Sequence, residues 1–385
     1  RLRARLKELP DGQWQARQYM SVGDEVSRVC LTMTKRSDTL TFDFTGSSPQ
    51  TRHSINCTKW ASLGGLFAPL FPLLCYDITW NEGVIRPITM IAPAGTIVNC
   101  TRPAPVSVAT VGAIQSVNNA ACTTIGKMLN ASEKYAREAT AVWHANHFAV
   151  FLFGRNQHQR QAIGILTETF AGAGGARSFA DGIEVGGEIP NPISRMANVE
   201  TVENTFPIRY LFRRRMTDSG GAGQYRGGVG MELAFVPHDA PDGGIHYVVS
   251  GKGARFPMSE GLGAGLPGSP NAYIRIIDCH SNGTVPATPD QIGREMQPVD
   301  WGVFPLMGND GLYVRWNGGG GYGDPLARPV EHVERDVRDG LVSPSAAAAV
   351  YGVVINESNG KADDSRTRTA REALRVARLQ PTSVR

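Results

Sequence analysis

Residues 13–56 alternate apolar and polar side chains, most clearly in the run SRVCLTMTKRSDTLTFDFTGSSPQ. A period of two sends successive side chains to opposite faces, so this run predicts two antiparallel strands joined at Lys35 to Thr39. Residues 57–78 drop the alternation and crowd apolar and small residues together, as suits a buried helix. NEGVIRPITMIAPAGTIVNCTRPAPV reads as short strands and turns, and residues 108–140 return to helical spacing. VWHANHFAVFLFG and QAIGILTETFAG form a second predicted strand pair. Residues 171–206 are loop-rich, and residues 206–280 are β-rich with turns at 218–230 and 240–244. The C-terminal part is helical from just after Pro329, is split at Gly340 and restarts behind Ser343 as N-cap. NESNGKADDSRT is an exposed loop before a final helix. The opening RLRARLKELPDG reads as the end of an amphipathic helix, stopped by Pro10 and Asp11-Gly12.

These patterns predict an α+β, mixed α/β chain: a β-rich multi-domain subunit with glycine-rich loops and C-terminal helices. Three units are expected: a mixed region at 1–205, a β-rich glycine-loop domain at 206–328 and a helical segment at 329–385. No repeat of 20–50 residues is visible.

Composition narrows the class. The chain has 385 residues, enough for two or three domains, with 41% hydrophobic and 19% charged residues, as in an ordered globular protein. Its 44 glycines and 24 prolines have no strict period and are separated by apolar stretches, which fits many functional loops. The net charge of +4 is spread over both signs. The densest basic cluster, Arg213 to Arg215, lies in an alternating strand without a basic stripe or nucleic-acid motif, which argues against nucleic-acid binding. Six isolated cysteines, none in a C-x-x-C pair, predict reduced thiols in a cytoplasmic protein. The longest apolar run, LGGLFAPLFPLLCY, is too short and proline-broken to span a bilayer, and the N-terminus lacks the apolar core of a signal peptide. The chain does not open on methionine, so residue 1 is expected to lie inside a longer natural chain or to follow a cleavage site.

Candidate chemistry gathers in a few motifs. DSGGAGQYRGGVG, residues 218–230, frees the backbone at Gly220, Gly221 and Gly227 for close approach to a ligand or another strand. Within it Arg226 offers a fork for a carboxylate or phosphate, and Asp218, which opens the run, is a further catalytic candidate. The alternative is a series of turns packing two sheets. No Gly-Lys-Ser/Thr ends the run, so it is not a Walker A loop. His144 and His147 in WHANH would share a helix face but oppose each other on a strand, and the strand reading argues against a two-histidine metal site. Asp43, Asn56, Asn81 and Arg86 either line a cleft or, for Asp43 and Asn81, cap turns. Glu200 and Glu203 would share a helix face, where solvation is the plain reading. No G-x-S-x-G elbow is present. In NGGGGYGDPL the run Gly318 to Gly321 has no phosphate-binding context and a defined end, so it is expected to be a tight turn held close to another backbone.

Six segments occur in a telling order: LPDG, DFTGSSPQ, NEGVIRPITMIAPAGTIVNCTRPAPV, FAGAGGARSFADG, TVENTFPIRYLFRRRMTDSGGAGQYRGGVG and NGGGGYGDPLARPVEHVERDVRDGLVSPSAAAAVYGVV. Together they resemble the hydantoinase B/oxoprolinase family through nearly the whole chain. The resemblance implies a two-step, ATP-dependent enzyme. A partner subunit of the hydantoinase A type binds ATP and phosphorylates a carbonyl oxygen, and the B-type subunit completes the reaction. This agrees with the lack of any nucleotide-binding motif here. Relatives extend further at the N-terminus, where histidines and aspartates are associated with a metal. A divalent metal therefore stays open and no ligands are assigned in this chain. Two outcomes occur in the family: carboxylation of a ketone through a phosphorylated enol, or hydrolysis of a cyclic amide such as hydantoin, 5-oxoproline or a lactam. GGEIPNPISRMANVETVENTFPIRYLFRRR looks closer to the acetophenone carboxylase-like branch, which puts carboxylation first. LFAPLFPLLCYDITWNEG is either a pocket for an aromatic ketone or plain core. On this reading Arg226 or Arg86 binds the anionic group, amides of the glycine loops support oxyanions, and His144 or His147 moves protons. A structural subunit of a large hetero-oligomer is the non-catalytic alternative.

Overall fold

The structure, a computed structural model, describes residues 1–144, 150–166, 172–192, 195–241, 244–249, 253–279, 286 and 288–379. It is a mixed α/β fold with three main sheets. The alternating segment near the N-terminus forms β1 (Gly12–Val22), β2 (Glu25–Arg36) and β3 (Thr39–Asp43), an antiparallel meander, with β4 (Ile88–Ile91) added parallel to β3. The expected pair is thus β2 and β3, and β1 extends the pattern by one more strand. Gly23, with φ of 56°, supplies the positive φ that a two-residue hairpin requires between β1 and β2. The buried face of this sheet carries Val29, Leu31, Met33, Leu40 and Phe42.

After the short N-terminal helix α1 (Leu2–Lys7), two further helices stack over that face. Helix α2 (Lys59–Leu74) is the one expected from residues 57–78; Thr58 caps it by accepting the Ala61 amide. Leu66, Leu70, Leu73 and Leu74 of α2 enter the core, so the aliphatic part of the apolar stretch is plain core. Its aromatic part, Phe67 and Phe71, gathers with Trp80 at centroid distances of 5.4 and 4.9 Å. Helix α3 (Ala113–Asn130) packs between α2 and the first sheet and buries nearly every side chain, polar ones included.

The second pair of sheets forms a sandwich. One sheet holds β5 (Val150–Arg155) and β6 (Gln161–Ile165), the pair expected from sequence, beside β11 (Ile245–Val249) and β14 (Gly302–Leu306). It therefore draws strands from both sides of position 205. The other sheet runs β13 (Glu295–Pro298), β12 (Ala272–Ile277), β15 (Gly311–Arg315), β10 (Met231–Pro237) and β9 (Ile208–Arg215). A two-residue pair, β7 (Gly187–Glu188) and β8 (Asn191–Pro192), and helix α4 (Val199–Thr205) lie in the loop-rich stretch. Leu152, Leu233, Phe235, Tyr247, Leu312 and Val314 fill the space between the two sheets.

The C-terminal helices α5 (Val330–Arg338), α6 (Pro344–Tyr351) and α7 (Asp364–Leu379) follow the expected split at Gly340. Ser343 is the N-cap of α6, its hydroxyl accepting the Ala346 amide at 3.1 Å. No helix among the described residues is long and apolar enough to cross a membrane.

Candidate functional site

Glycine segments from five distant parts of the chain meet between the sheets. They comprise residues 140–144, 173–183, 219–230, 259–268 and 317–323. The tight turn expected at Gly318 to Gly321 is absent: the run is extended, and none of its four glycines has a positive φ. Each residue instead bonds to a different neighbour. Gly319 donates to Gly228 O and accepts from the Gly221 amide; Gly320 donates to Val142 O and accepts from Ala176; Gly321 donates to Leu266 O and accepts from Leu262. A β-strand would alternate between two neighbours. Three directions in three residues is the repeat of an extended threefold helix.

The close approach to another backbone, in contrast, is present. A Cβ at Gly318 would overlap Ser219 O, one at Gly319 would overlap Gly174 O, one at Gly320 Glu260 O, and one at Gly321 Ala222 O. The segment met at Gly318 returns at Gly321, which is the period of three again. Gly220, Gly221 and Gly227 belong to the same lattice, with Gly227 itself abutting Gly319. Glycine is required here because every Cα faces main chain at contact distance, leaving no room for a side chain.

The lattice positions His144. Its amide donates to Ala173 O at 3.3 Å and its carbonyl accepts from Ala173 at 3.1 Å, so the backbone is fixed on both sides. The ring is fully buried. Its Nδ1 lies 3.3 Å from Gln115 Nε2 and 3.2 Å from Asn119 Nδ2. Two amide donors aimed at Nδ1 make it an acceptor, which places the proton of the neutral ring on Nε2. Gln115 and Asn119 are four residues apart on α3 and therefore share one face. Asn317, the residue before the glycine run, donates through Nδ2 to Ser259 Oγ at 2.7 Å and to His144 O at 3.1 Å. Beside it Glu260 accepts from Gln18 Nε2 at 2.7 Å, and burial pushes its carboxyl above the usual range. One end of the lattice thus holds a buried imidazole with two amides on its ring, and the Asn317 amide on its backbone carbonyl and on Ser259, the residue before Glu260. The imidazole and the Glu260 carboxyl are groups able to exchange protons. His147 lies outside the described residues.

A second buried polar group ties the lattice to the C-terminal helices. Arg226 is buried, but its guanidinium is already engaged: Nη2 meets Glu184 Oε1 at 2.7 Å, Nη1 donates to Gly227 O at 2.5 Å, and Nε lies 3.5 Å from Asp336 Oδ2. Arg328 sits beside it, forked onto Asp181 at 2.7 and 2.8 Å and bonded to Asp336 Oδ2 at 2.7 Å. Asp218 is exposed; its carboxylate accepts the Ser343 amide at 2.7 Å and anchors the start of α6.

The remaining sequence candidates are spread over the first sheet and its loops. Asp43 accepts the Thr45 amide at 2.8 Å and Asn81 the Gly83 amide at 2.9 Å, the turn-capping alternative in both cases. Arg86 is exposed. Asn56 is buried and staples a loop: Oδ1 accepts from the Thr51 amide, and Nδ2 donates to the carbonyls of Thr51, His53 and Pro105. Asn56→Ala strands these backbone groups and is expected to cost about 2–4 kcal/mol, read from the urea midpoint. Glu203 on α4 accepts the Tyr210 amide at 2.7 Å. All six cysteines are free thiols; burial pushes Cys57 and Cys122 up to about 12, so neither supplies a thiolate near neutral pH. Among the described residues no cluster of three His, Cys, Asp or Glu side chains could hold a metal ion.

Sequence alone points to His144 and the glycines but not to Gln115, Asn119, Glu260 and Asn317. The available signal was the pair of amides four apart in a helix rich in small and polar residues, since a buried helix rarely carries polar groups without a partner to satisfy.

Three sheets, two of them forming a sandwich, a threefold glycine lattice and a polar site at its end define a multi-sheet fold with a backbone-built centre. The chain belongs to the hydantoinase B/oxoprolinase family, whose family model matches residues 1–325. It is 30% identical over 336 residues to caprolactamase subunit beta of Pseudomonas jessenii, spanning 85% of this chain and 53% of that protein. It is 23% identical over 401 residues to the acetophenone carboxylase delta subunit of Aromatoleum aromaticum, spanning 97% of this chain and 57% of that one. The nucleotide-free structure of acetone carboxylase, from work on ATP-dependent acetone carboxylation, superposes with a TM-score of 0.86 at 24% identity, covering 99% of this chain and 55% of that one. The chain thus spans about half the length of the relatives it matches.

Proposed function

We propose that this chain is the hydantoinase B-type part of an ATP-dependent, multisubunit enzyme, and that it transforms a carbonyl substrate activated by a hydantoinase A-type, ATP-binding partner. The observation that carries this reading is the buried ring of His144, held by Gln115 and Asn119 at the end of the glycine lattice. Ketones and lactams both carry a carbonyl oxygen that can be phosphorylated. In the enol phosphate of a ketone the carbon attacks carbon dioxide while the O–P bond is cleaved by water, and the oxygen stays as the product ketone. In a phosphorylated lactam water adds at carbon and phosphate leaves. Conversion of the phosphorylated intermediate needs proton transfer and a water-poor pocket of fixed donors. His144 moves the proton. The amides of Gln115 and Asn119 fix its ring, Asn317 fixes its backbone, and burial keeps water out.

Carboxylation of an acetophenone-type ketone is the first reading, on the likeness to the acetophenone carboxylase subunit. Hydrolysis of a cyclic amide is the second, favoured by the 30% identity to the caprolactamase subunit. The test combines the chain with its A-type partner and ATP. One arm adds labelled bicarbonate and acetophenone; the other adds caprolactam, hydantoin or 5-oxoproline. Labelled carboxylate supports the first reading and ring-opened acid the second. Absence of both products overturns the proposal.

In the productive arm, His144→Gln is expected to lower product formation by about 10²–10⁴-fold. ATP cleavage by the partner should continue, so phosphate release without product is the signature. An unchanged ratio of product to phosphate removes His144 from the reaction.

A further inference from the structure

The outer face of the first sheet carries a concave basic patch that the proposed reaction does not use. β1 and β2 pair in register with Arg17 opposite Cys30 and Tyr19 opposite Arg28. Arg17 and Arg28 are thus diagonal neighbours, both exposed on the face turned away from the core. Like charges so placed repel, and neither arginine makes an ion pair among the described residues. Asp43, on the adjoining strand, directs its carboxylate oxygen to the Thr45 amide.

The patch is shaped as well as charged. Arg17, Arg28, Cys30, Thr32, Thr45 and Gly46 line a depression of about 280 Å³. Arg28 is oriented by the bond from its Nε to Gly46 O at 3.2 Å. The Gly46 turn behind it is fixed in turn, because Ser47 Oγ accepts the Cys30 amide at 3.1 Å. Gly46 has φ of 89°, so the turn depends on glycine.

We propose that this depression binds a small molecule through an oxyanion, phosphate or carboxylate, with Arg17 and Arg28 as the two cationic arms. The hydroxyls of Thr32 and Thr45 supply neutral donors. An anion there relieves the repulsion between the arginines and gains charge-assisted hydrogen bonds. The volume exceeds that of a bare ion and suits a small organic phosphate or polycarboxylate.

Cys30 serves as a built-in reporter, since it is a free, part-exposed thiol on the floor of the depression. The experiment measures iodoacetamide labelling of each cysteine by peptide mass spectrometry. Separate arms contain inorganic phosphate, citrate, and sodium chloride at matched ionic strength. At ten times the dissociation constant, the anion is expected to slow labelling of Cys30 about tenfold. Cys100, which is also part-exposed, acts as the internal control and keeps its rate. Phosphate acting at the lower concentration identifies a phosphate site; citrate doing so identifies a carboxylate site. In the R17A/R28A variant the protection disappears while the melting temperature holds. Equal protection by chloride, protection that survives in the variant, or no protection by either anion overturns the proposal.

Discussion

Gly319→Ala prevents the chain from reaching its native state, although it adds one methyl group. The new Cβ overlaps Gly174 O and crowds the Gly174 carbonyl carbon and Gly175 N. All three are main-chain atoms of a segment that is itself tied down: Gly174 donates to Ile183 O, and its carbonyl accepts from Gly228. A clashing side chain can rotate away, but this backbone moves only by breaking the bonds of two further segments. Overpacking in an adaptable core costs about 1–3 kcal/mol; here relaxation is blocked, and about 4 kcal/mol or more is expected. Gly64→Ala makes the same chemical change as a control. Gly64 lies within α2 with nothing within 4 Å of the added carbon. Alanine is the better helix former, so that variant should gain up to about 1 kcal/mol. Soluble yield and urea unfolding of the two variants check the contrast. Comparable stability of Gly319→Ala and wild type would return the glycine run to the status of a linker.

The contrast also marks where the sequence was readable. The strands β2, β3, β5 and β6 and the helices α2, α3, α5 and α6 follow from periodicity, which is a local property of neighbouring residues. The crowding of glycines in 218–230 and 317–323 was equally legible, and so was its meaning as close backbone approach. Their arrangement was not, since Gly319 touches segments at 174, 221 and 228 and no local rule links those numbers. A tight turn was the local solution for four glycines; the threefold lattice is a tertiary one. Side-chain chemistry divides the same way. Arg226 was visible as a fork, but the carboxylates that occupy it, Glu184 and Asp336, come from distant segments. Likewise His144 stood out by residue type, while Gln115 and Asn119 passed as ordinary interior positions of a helix.

Arg328→Ala is the second large loss, and it acts through charge where Gly319→Ala acts through volume. Arg328 is 0% exposed and holds two carboxylates at once: the fork onto Asp181, and Nε and Nη2 on Asp336 Oδ2 at 3.1 and 2.7 Å. Removing it leaves Asp336 buried, with Arg226 Nε at 3.5 Å as its one cationic neighbour among the described residues. Breaking one side of such a buried pair costs about 3–5 kcal/mol. Arg328→Lys keeps the charge but cannot span both carboxylates, so it should fall between Ala and wild type. The pH dependence separates charge from packing. Burial alone would push the Asp181 carboxyl up, but the Arg328 fork, with help from Arg226, holds it below the usual carboxylate range. In the wild type, Asp181 therefore contributes stability that is present above its unfolded pKa of about 3.9 and lost as pH falls through the lower folded value. Without Arg328 the sign reverses: burial dominates, the carboxyl prefers to be neutral, and acid relieves the strain. The stability gap between wild type and Arg328→Ala should thus be widest near pH 7 and shrink towards pH 4. Urea unfolding at the two pH values measures it. A gap that stays constant would assign the loss to packing of the arginine stem, and the buried network would then contribute no net electrostatic stability.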